Sequence, residues 1–263
     1  MPNSYQHLTV TRDGHIATVT LQRPTVANAL STEHLTELEQ ATLDFRDDST
    51  TRVVIFTGAG KHFCGGADLN ERAPDGETAL ARRRRLRMGE RMIQAVRDMD
   101  QISIVAWHGA AMGGGACLAT AVDFRIGCES ALMAYPEIDL GMNLMWQSLP
   151  LCVQLVGPAR AKRLVIGGER IEATTLLEWG VLDELVTADA LQDKTLEWAR
   201  RYAAQAPMAA QMIKRSVNHL SSALDRAIMH MDFDQNMLTA TGADRAAAAQ
   251  AYAKGKVPVF TGD

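Results

Sequence analysis

The sequence lacks the patterns by which several enzyme classes are recognised. None of HExxH, GxSxG and GxxxxGK[ST] occurs in its 263 residues. Cysteine is scarce, and Cys64, Cys117, Cys128 and Cys152 show no CxxC or other metal-ligand spacing. We therefore predict no metal site, and zinc hydrolases, serine hydrolases and P-loop proteins are disfavoured.

Long apolar runs and a strong charge of one sign are also missing. No run approaches the roughly 20 residues that span a bilayer, and residues 1–7 lack the basic and apolar regions of a signal peptide. A formal net charge of −4 gives no general signal for nucleic acid or an anionic membrane. With 47% apolar and 22% charged residues, the chain is predicted to be a soluble, cytoplasmic protein with one core and an appendage.

Two apolar segments each lead into a glycine-rich loop. Residues 102–107 are typical of a buried strand, and the glycines at 113–115 then open a small-residue segment of helical composition. Residues 52–57 predict a second buried strand, followed by the glycine-rich loop 58–69. Glycine leaves N–H groups uncovered, and the first N–H groups of a helix lack intrahelical partners. The pattern predicts an oxyanion or phosphate site, although glycines that only allow close packing would give it too.

The remaining patterns predict an α/β chain that becomes helical towards its C-terminus. Strand composition on both sides of Asp13-Gly14 predicts a hairpin over residues 8–21. The other predicted elements are a helix at 31–45, a single helix at 78–99, strands at 122–127 and 131–134, helices at 149–156, 158–166, 172–179 and 189–205, and three amphipathic helices over 207–255.

Four motifs in register resemble the enoyl-CoA hydratase/isomerase (crotonase) family. They are Arg23-Pro24 with the NAL of 28–30, FCGGADL at 63–69, the glycines at 113–115, and YPE at 135–137. The resemblance implies a crotonase-like (ClpP/crotonase) spiral of strand-strand-helix units. Residues 1–200 would be the acyl-CoA-binding core, and residues 201–263 a helical region that assembles a homotrimer or a dimer of trimers (a hexamer).

The resemblance also implies stabilisation of a thioester enolate by an oxyanion hole. Its two backbone N–H donors fall on Ala67 and Gly114, and such donors are each worth about 2.7–4 kcal/mol of barrier. The substrate is an acyl-CoA thioester, so no cofactor is implied besides the coenzyme A that belongs to the substrate. Further substrate contacts would fall on Gly65, Gly66, Asp68 and Leu69, with the adenine part at Gly65, Asp68 and Leu69.

The proton-moving side chains depart from the hydratase pattern. Hydratases of the family use two glutamates around a water; one matches Glu137, whereas the other falls on Cys117. A thiol is mostly protonated at neutral pH and bonds water weakly, so packing is the favoured interpretation of Cys117. Glu137 is expected to be the general acid/base, rather than a loop ion pair. Alternatives that need only one carboxylate are a 3,2-enoyl-CoA isomerase and an aromatic acyl-CoA hydratase/lyase.

Bulky residues at 142–148 replace a glycine- and proline-rich turn of many hydratases. They suggest a reshaped acyl pocket, with Trp146 and Cys117 as substrate contacts. The dienoyl-CoA isomerase branch has an aspartate at about Met145, so its two-carboxylate mechanism is disfavoured. Asp139 would point away from Glu137 if that stretch were extended. The acyl group and the choice between hydration, isomerisation and cleavage stay open.

Two other hypotheses are kept beside an enzyme. Cys117 permits a non-catalytic acyl-CoA-binding protein. The arginines within 82–91 permit an RNA contact, but a solvated or subunit-facing helix surface is favoured because the sequence pI is near 6.0. The resemblance further implies that the tail 252–260 lies near the nucleotide end of coenzyme A.

Overall fold

The computed structural model describes residues 5–263, with the side chains of Arg226, Tyr252 and Ala253 outside the description. The strands are β1 (Leu8–Asp13), β2 (Ile16–Leu21), β3 (Val53–Gly58), β4 (Ile102–Trp107), β5 (Ala110–Met112), β6 (Phe124–Cys128), β7 (Leu132–Ala134), β8 (Ile171–Glu172) and β9 (Glu184–Val186). The helices are α1 (Thr32–Leu43), α2 (Ala79–Leu86), α3 (Met88–Arg97), α4 (Gly114–Ala121), α5 (Ser148–Gly167), α6 (Ala173–Glu178), α7 (Leu191–Ala203), α8 (Pro207–Ser221), α9 (Asp225–Met229), α10 (Asp232–Thr239) and α11 (Ala243–Ala253). The α/β prediction is confirmed.

A six-stranded sheet carries the first glycine-rich loop, residues 58–69. Its strand order is β1-β2-β3-β4-β6-β9, antiparallel in the first hairpin and parallel elsewhere. β3 and β4 are buried along their whole length, which explains their continuous apolar composition. Alternate side chains enter the main core or a second cluster beneath α7, as Phe56 and Ile55 do. The loop 58–69 begins at the carboxyl end of β3, whereas the chain reaches the glycines at 113–115 from β4 through β5.

A second, three-stranded sheet, in the order β5-β7-β8, carries the glycines at 113–115, which follow β5 directly. Two of its strands, β5 and β8, were not predicted from the sequence, nor were the isolated parallel bridges that pair Cys64 with Ala111 and Leu30 with Ala67. β9 was missed as well. These segments are two or three residues long, too short for an alternating pattern to be visible.

Two helix predictions are wrong in detail. The single helix expected over residues 78–99 is two helices, α2 and α3, which meet at Arg87. The region 207–255 holds four helices, α8 to α11, rather than three. The division at residues 200/201 falls within α7 and stays a prediction.

The C-terminal helices leave large apolar side chains uncovered. Leu220 is 82% exposed, and Met208, Met212, Ile213, Val217, Leu224, Ile228 and Leu238 are also exposed. On α8 the opposite side is anchored, because Lys214 is buried and pairs with Asp123 at 2.7 Å. No helix in the described part of the chain is long and apolar enough to cross a membrane.

Candidate active site

Asn28 fixes the loop that follows β3. Its side chain is fully buried, and its Nδ2 donates to the carbonyl oxygens of Ala59 (2.9 Å) and His62 (2.8 Å). Gly58 is required beside it, since a Cβ there would lie 2.4 Å from the carbonyl oxygen of Phe63. A buried side-chain amide with both loop carbonyls as acceptors holds the loop in one conformation. The sequence analysis quoted Asn28 only as part of a motif and missed this supporting role.

Backbone contacts join the two glycine-rich loops. The Cys64 N–H donates to the Ala110 carbonyl at 3.0 Å, and the Met112 N–H donates to the Cys64 carbonyl at 3.0 Å. A Cβ on Gly115 would lie 2.3 Å from the Cys64 oxygen, so this glycine permits the close approach. The first turn of α4 therefore rests directly on the loop after β3.

Ala67 and Gly114 present N–H groups that donate to no acceptor within residues 5–263. Gly114 is the first residue of α4, where an N–H lies outside the helical hydrogen-bond pattern. Gly66, next to Ala67, has φ +93, and a Cβ on it would lie 3.4 Å from Gly114 N. Two loops thus bring unpaired amides together near a helix N-terminus, an arrangement that can bind an oxyanion.

Glu137 lies against the same helix start. β7 ends at Ala134 and a 3-10 helix begins at Pro136, which confirms that proline ends the strand before Glu137. A Cβ on Gly113, whose φ is +47, would lie 2.7 Å from Glu137 Oε1. Glu137 Oε2 is buried without a hydrogen-bond partner among the described residues.

Burial sets the acid–base properties of this carboxyl. Removal from water disfavours the carboxylate and raises the pKa of Glu137 to about 7. A group with a pKa near the working pH has both forms populated, which general acid–base catalysis requires. Asp139 of the same segment is exposed, and the segment is a 3-10 helix rather than the extended chain considered from sequence.

Cys117 lies one turn along α4 from Gly113, and its N–H donates to the Gly113 carbonyl at 2.9 Å. Burial raises the pKa of the Cys117 thiol well above its ordinary value, and the charge of Glu137 raises it further. The thiol donates to the Met145 carbonyl across 3.9 Å. Position 117 therefore holds a neutral thiol in the electrostatic neighbourhood of Glu137.

Trp146 is the bulky residue of 142–148 that reaches the site. Its side chain is 8% exposed, and a Cβ on Gly114 would lie 2.2 Å from indole Cζ3. On the other side, a Cβ on Gly89 of α3 would lie 1.9 Å from indole Cε2. The indole therefore fills the space between α3 and the first turn of α4. The sequence analysis gave no role to Gly89.

Gly65, Asp68 and Leu69, the predicted contacts to the adenine, lie on the loop after β3. Two of them already form hydrogen bonds or ion pairs within the chain. Asp68 Oδ2 pairs with Arg23 Nη2 at 2.9 Å, so its carboxylate already has a partner within the chain. The Gly65 N–H donates to the Ala27 carbonyl at 2.7 Å. Leu69 is 55% exposed. The structure therefore leaves the adenine-binding roles of these residues as predictions.

Three of the six arginines within residues 82–91 are paired with acidic side chains. The ion pairs are Arg85 with Glu77 at 2.7 Å, Arg87 with Glu90 at 2.9 Å and Arg91 with Glu39 at 2.9 Å. Arg83 lies over the Phe233 ring, 5.5 Å from its centroid. Such pairing favours an ordinary helix surface over an RNA contact. Within the described residues, no cluster of three or more His, Cys, Asp or Glu side chains is arranged to hold a metal ion.

The fold and the two loops define an acyl-CoA enzyme of the crotonase fold, and the chain belongs to the enoyl-CoA hydratase/isomerase family, whose model matches residues 11–263. It is 35% identical over 214 residues to the carnitinyl-CoA dehydratase of Salmonella enteritidis, covering 80% of this chain and 79% of that protein. It is 30% identical over 208 residues to the short-chain-enoyl-CoA hydratase of Clostridium acetobutylicum, covering 79% of each.

A solved structure shows the same fold at lower identity. The enoyl-CoA hydratase of Mycobacterium avium subsp. paratuberculosis superposes with a TM-score of 0.88 at 22% identity, covering 98% of this chain and all of that one. The implied spiral architecture is therefore confirmed.

Proposed function

We propose that this protein moves a proton within an enoyl-CoA thioester, as a one-base enoyl-CoA isomerase. The observation that carries the proposal is the Glu137 carboxyl, which has a buried, unpartnered Oε2 and a pKa of about 7. It lies against Gly113, directly before the unpaired N–H of Gly114. A single group that can take and return a proton is sufficient for this reaction.

The reaction begins with the thioester oxygen of a 3-enoyl-CoA between the N–H groups of Ala67 and Gly114. Ionised Glu137 removes a proton from C2, and the electron pair moves into a dienolate whose charge is held on the thioester oxygen. Each N–H contributes about 2.7–4 kcal/mol to lowering the barrier. Protonated Glu137 then returns the proton to C4, which gives the 2-enoyl-CoA and restores the carboxylate.

Hydration or dehydration is the second candidate, because the relatives named above are a hydratase and a dehydratase. In that reaction Glu137 would activate the water without a second carboxylate. The neutral Cys117 thiol donates towards Met145 and offers the water no strong acceptor. Because hydration would need this second acceptor and isomerisation does not, we prefer isomerisation to hydration.

The substrate carries coenzyme A, and no separate cofactor enters these steps. We also propose a homotrimer or a dimer of trimers. The support is the set of exposed apolar side chains on α8 to α10, which a second copy would cover.

The test is a panel of saturated, 2-enoyl, 3-enoyl and aromatic CoA esters, with products read by chromatography and mass spectrometry. Isomerisation leaves the mass unchanged, whereas hydration adds one water. Glu137→Gln should abolish turnover while acyl-CoA binding persists. Asp139→Asn, an exposed carboxylate of the same 3-10 helix, is the matched control and should retain activity. Binding without turnover in the unmutated protein would overturn the proposal in favour of an acyl-CoA-binding protein.

A further inference from the structure

Trp146 and Gln147 occupy a backbone conformation that non-glycine residues rarely adopt. Their φ values are +64 and +59, and two adjacent residues of this kind persist only where surrounding contacts hold them. The turn aims the indole at the first turn of α4, against the Cα of Gly114. The strained turn thus places a large ring beside Gly114, the proposed donor residue. The proton transfer proposed for Glu137 does not require this ring.

The side chains of Asp232 and Glu90 both accept hydrogen bonds from Gln147 and so hold the turn in place. The Gln147 N–H donates to Asp232 Oδ2 at 2.9 Å, and Gln147 Nε2 donates to Glu90 Oε1 at 2.7 Å. Arg87 pairs with the other oxygen of Glu90 at 2.9 Å. Asp232 begins α10, so the C-terminal helices fix a turn of the active site.

The indole also contacts α3, at a position where the helix has a glycine, Gly89. Gly89 is the second residue of α3 and is buried, and glycine is a poorer helix former than alanine. Any Cβ there would overlap the indole. The helix thus accepts a poor helix former in order to seat the ring.

We propose that Trp146 is the specificity-determining wall of the acyl site, that it restricts the enzyme to short acyl chains, and that Asp232 and Glu90 position it through Gln147. The inference rests on the proposed function, because Gly114 is taken as the donor to the thioester oxygen. With the carbonyl at Gly114 and C2 at Glu137, atoms beyond C4 meet the space that the indole, Met145 and Cys117 fill.

The first test compares kcat/KM for 3-hexenoyl-CoA and 3-dodecenoyl-CoA. The wild type should favour the shorter ester by tenfold or more, since each methylene gained or lost in a tight pocket changes kcat/KM by about 10–200-fold. Trp146→Ala and Trp146→Leu should each shrink that preference by about tenfold. Trp198→Ala, the same change on α7 away from the site, should leave it unchanged. An unchanged preference in active Trp146 variants, or a wild-type preference for the longer ester, would refute the proposal that Trp146 limits the length of the acyl chain.

The second test addresses the positioning residues. Asp232→Ala should relax the preference for the short ester, whereas Asp232→Asn keeps an acceptor for the Gln147 N–H and should restore it. Asp234→Ala, at an exposed position of α10, is the control. A general loss of stability would lower turnover of both esters alike. A changed ratio of kcat/KM for the short and long esters therefore reports a changed position of Trp146. An unchanged ratio in active Asp232→Ala would overturn the positioning role.

If no ester is turned over, the proposed isomerase fails, yet the wall can still be judged by binding. Calorimetric titration with butyryl-CoA and decanoyl-CoA should give tighter binding of the shorter ester, and Trp146→Ala should remove the difference. Equal affinities in the wild type would overturn the wall independently of catalysis.

Discussion

Replacement of the proposed catalytic acid by glutamine should make the variant more stable relative to the wild type as the pH rises. Glu137→Gln keeps the size of the side chain but removes the charge. In the folded chain the wild-type carboxyl keeps its proton up to pH about 7, whereas in the unfolded chain it loses it near the ordinary value of 4.5. Between these values the folded state binds more protons, so wild-type stability falls as pH rises, and the loss is complete above pH about 7.

The size of the effect follows from the two pKa values. At about 1.4 kcal/mol for each pKa unit, the gap corresponds to about 3 kcal/mol of stability lost by the wild type above neutral pH. Glutamine does not titrate and escapes that loss. Its amide N–H₂ lacks a partner beside the buried Oε2 position, which costs about 1–3 kcal/mol. Because this second cost does not depend on pH, the slope with pH identifies the buried carboxyl.

The assay is urea denaturation of wild type and Glu137→Gln from pH 4 to pH 9 at fixed protein concentration. We expect the variant to gain about 3 kcal/mol relative to wild type between the two ends of this range. Asp139→Asn should show no comparable gain, since that carboxylate is exposed. A Glu137→Gln difference that is constant with pH would show that the carboxyl titrates normally, and would remove the argument for its near-neutral pKa.

Three further changes have expected outcomes. Gly114→Ala keeps the N–H but places a Cβ 2.2 Å from the Trp146 ring; it should cost about 1–3 kcal/mol of stability and most of the activity, and full activity would exclude this contact from the site. Cys117→Glu adds a buried carboxyl near the catalytic one, which raises the pKa of one of the pair; the ratio of hydration to isomerisation should rise, and a constant ratio with both activities intact would show that position 117 does not face the reacting carbons. Truncation after Ala251 should weaken binding of a CoA ester, and an unaltered dissociation constant would mean that the tail lysines are ordinary solvated charges.

The tail 252–260 is expected near the nucleotide end of coenzyme A, and the side chain of Tyr252 lies outside the described residues. The end of the chain is tied to α11 instead, where the N–H groups of Thr261 and Gly262 donate to the Asp244 carboxylate at 2.7 Å and 3.1 Å. The nucleotide role of the tail therefore stays a prediction.

The parts of the fold that sequence reasoning located are those with strong local patterns. β3 and β4 were visible because strands covered on both faces are apolar at every position. The first hairpin was visible because Asp13-Gly14 suits its turn, in which Gly14 has φ +57. Glu137 could be placed at a strand end because proline cannot continue the strand. Each of these features is encoded within a few neighbouring residues.

The acyl side of the site depends on contacts between distant residues, which no local pattern encodes. The indole of Trp146 fits only because Gly89 and Gly114, from different helices, have no Cβ. The turn that carries the indole has two non-glycine residues at positive φ, and Asp232 accepts a hydrogen bond from it. Positive φ at Trp146 contradicts its own preference, so composition alone argues against the observed turn. Tertiary contacts overrule local preference here, as is common where strain serves function.

Three properties meet on two consecutive glycines. Gly113 cannot bear a side chain because of Glu137 Oε1, and Gly114 cannot because of the Trp146 indole. One peptide segment therefore has the proposed acid on one side, the proposed acyl wall on the other, and an unpaired N–H between them. Any side chain on this segment would displace the acid or the wall from the donor. The spacing of the proposed acid, donor and wall consequently depends on the absence of two Cβ atoms.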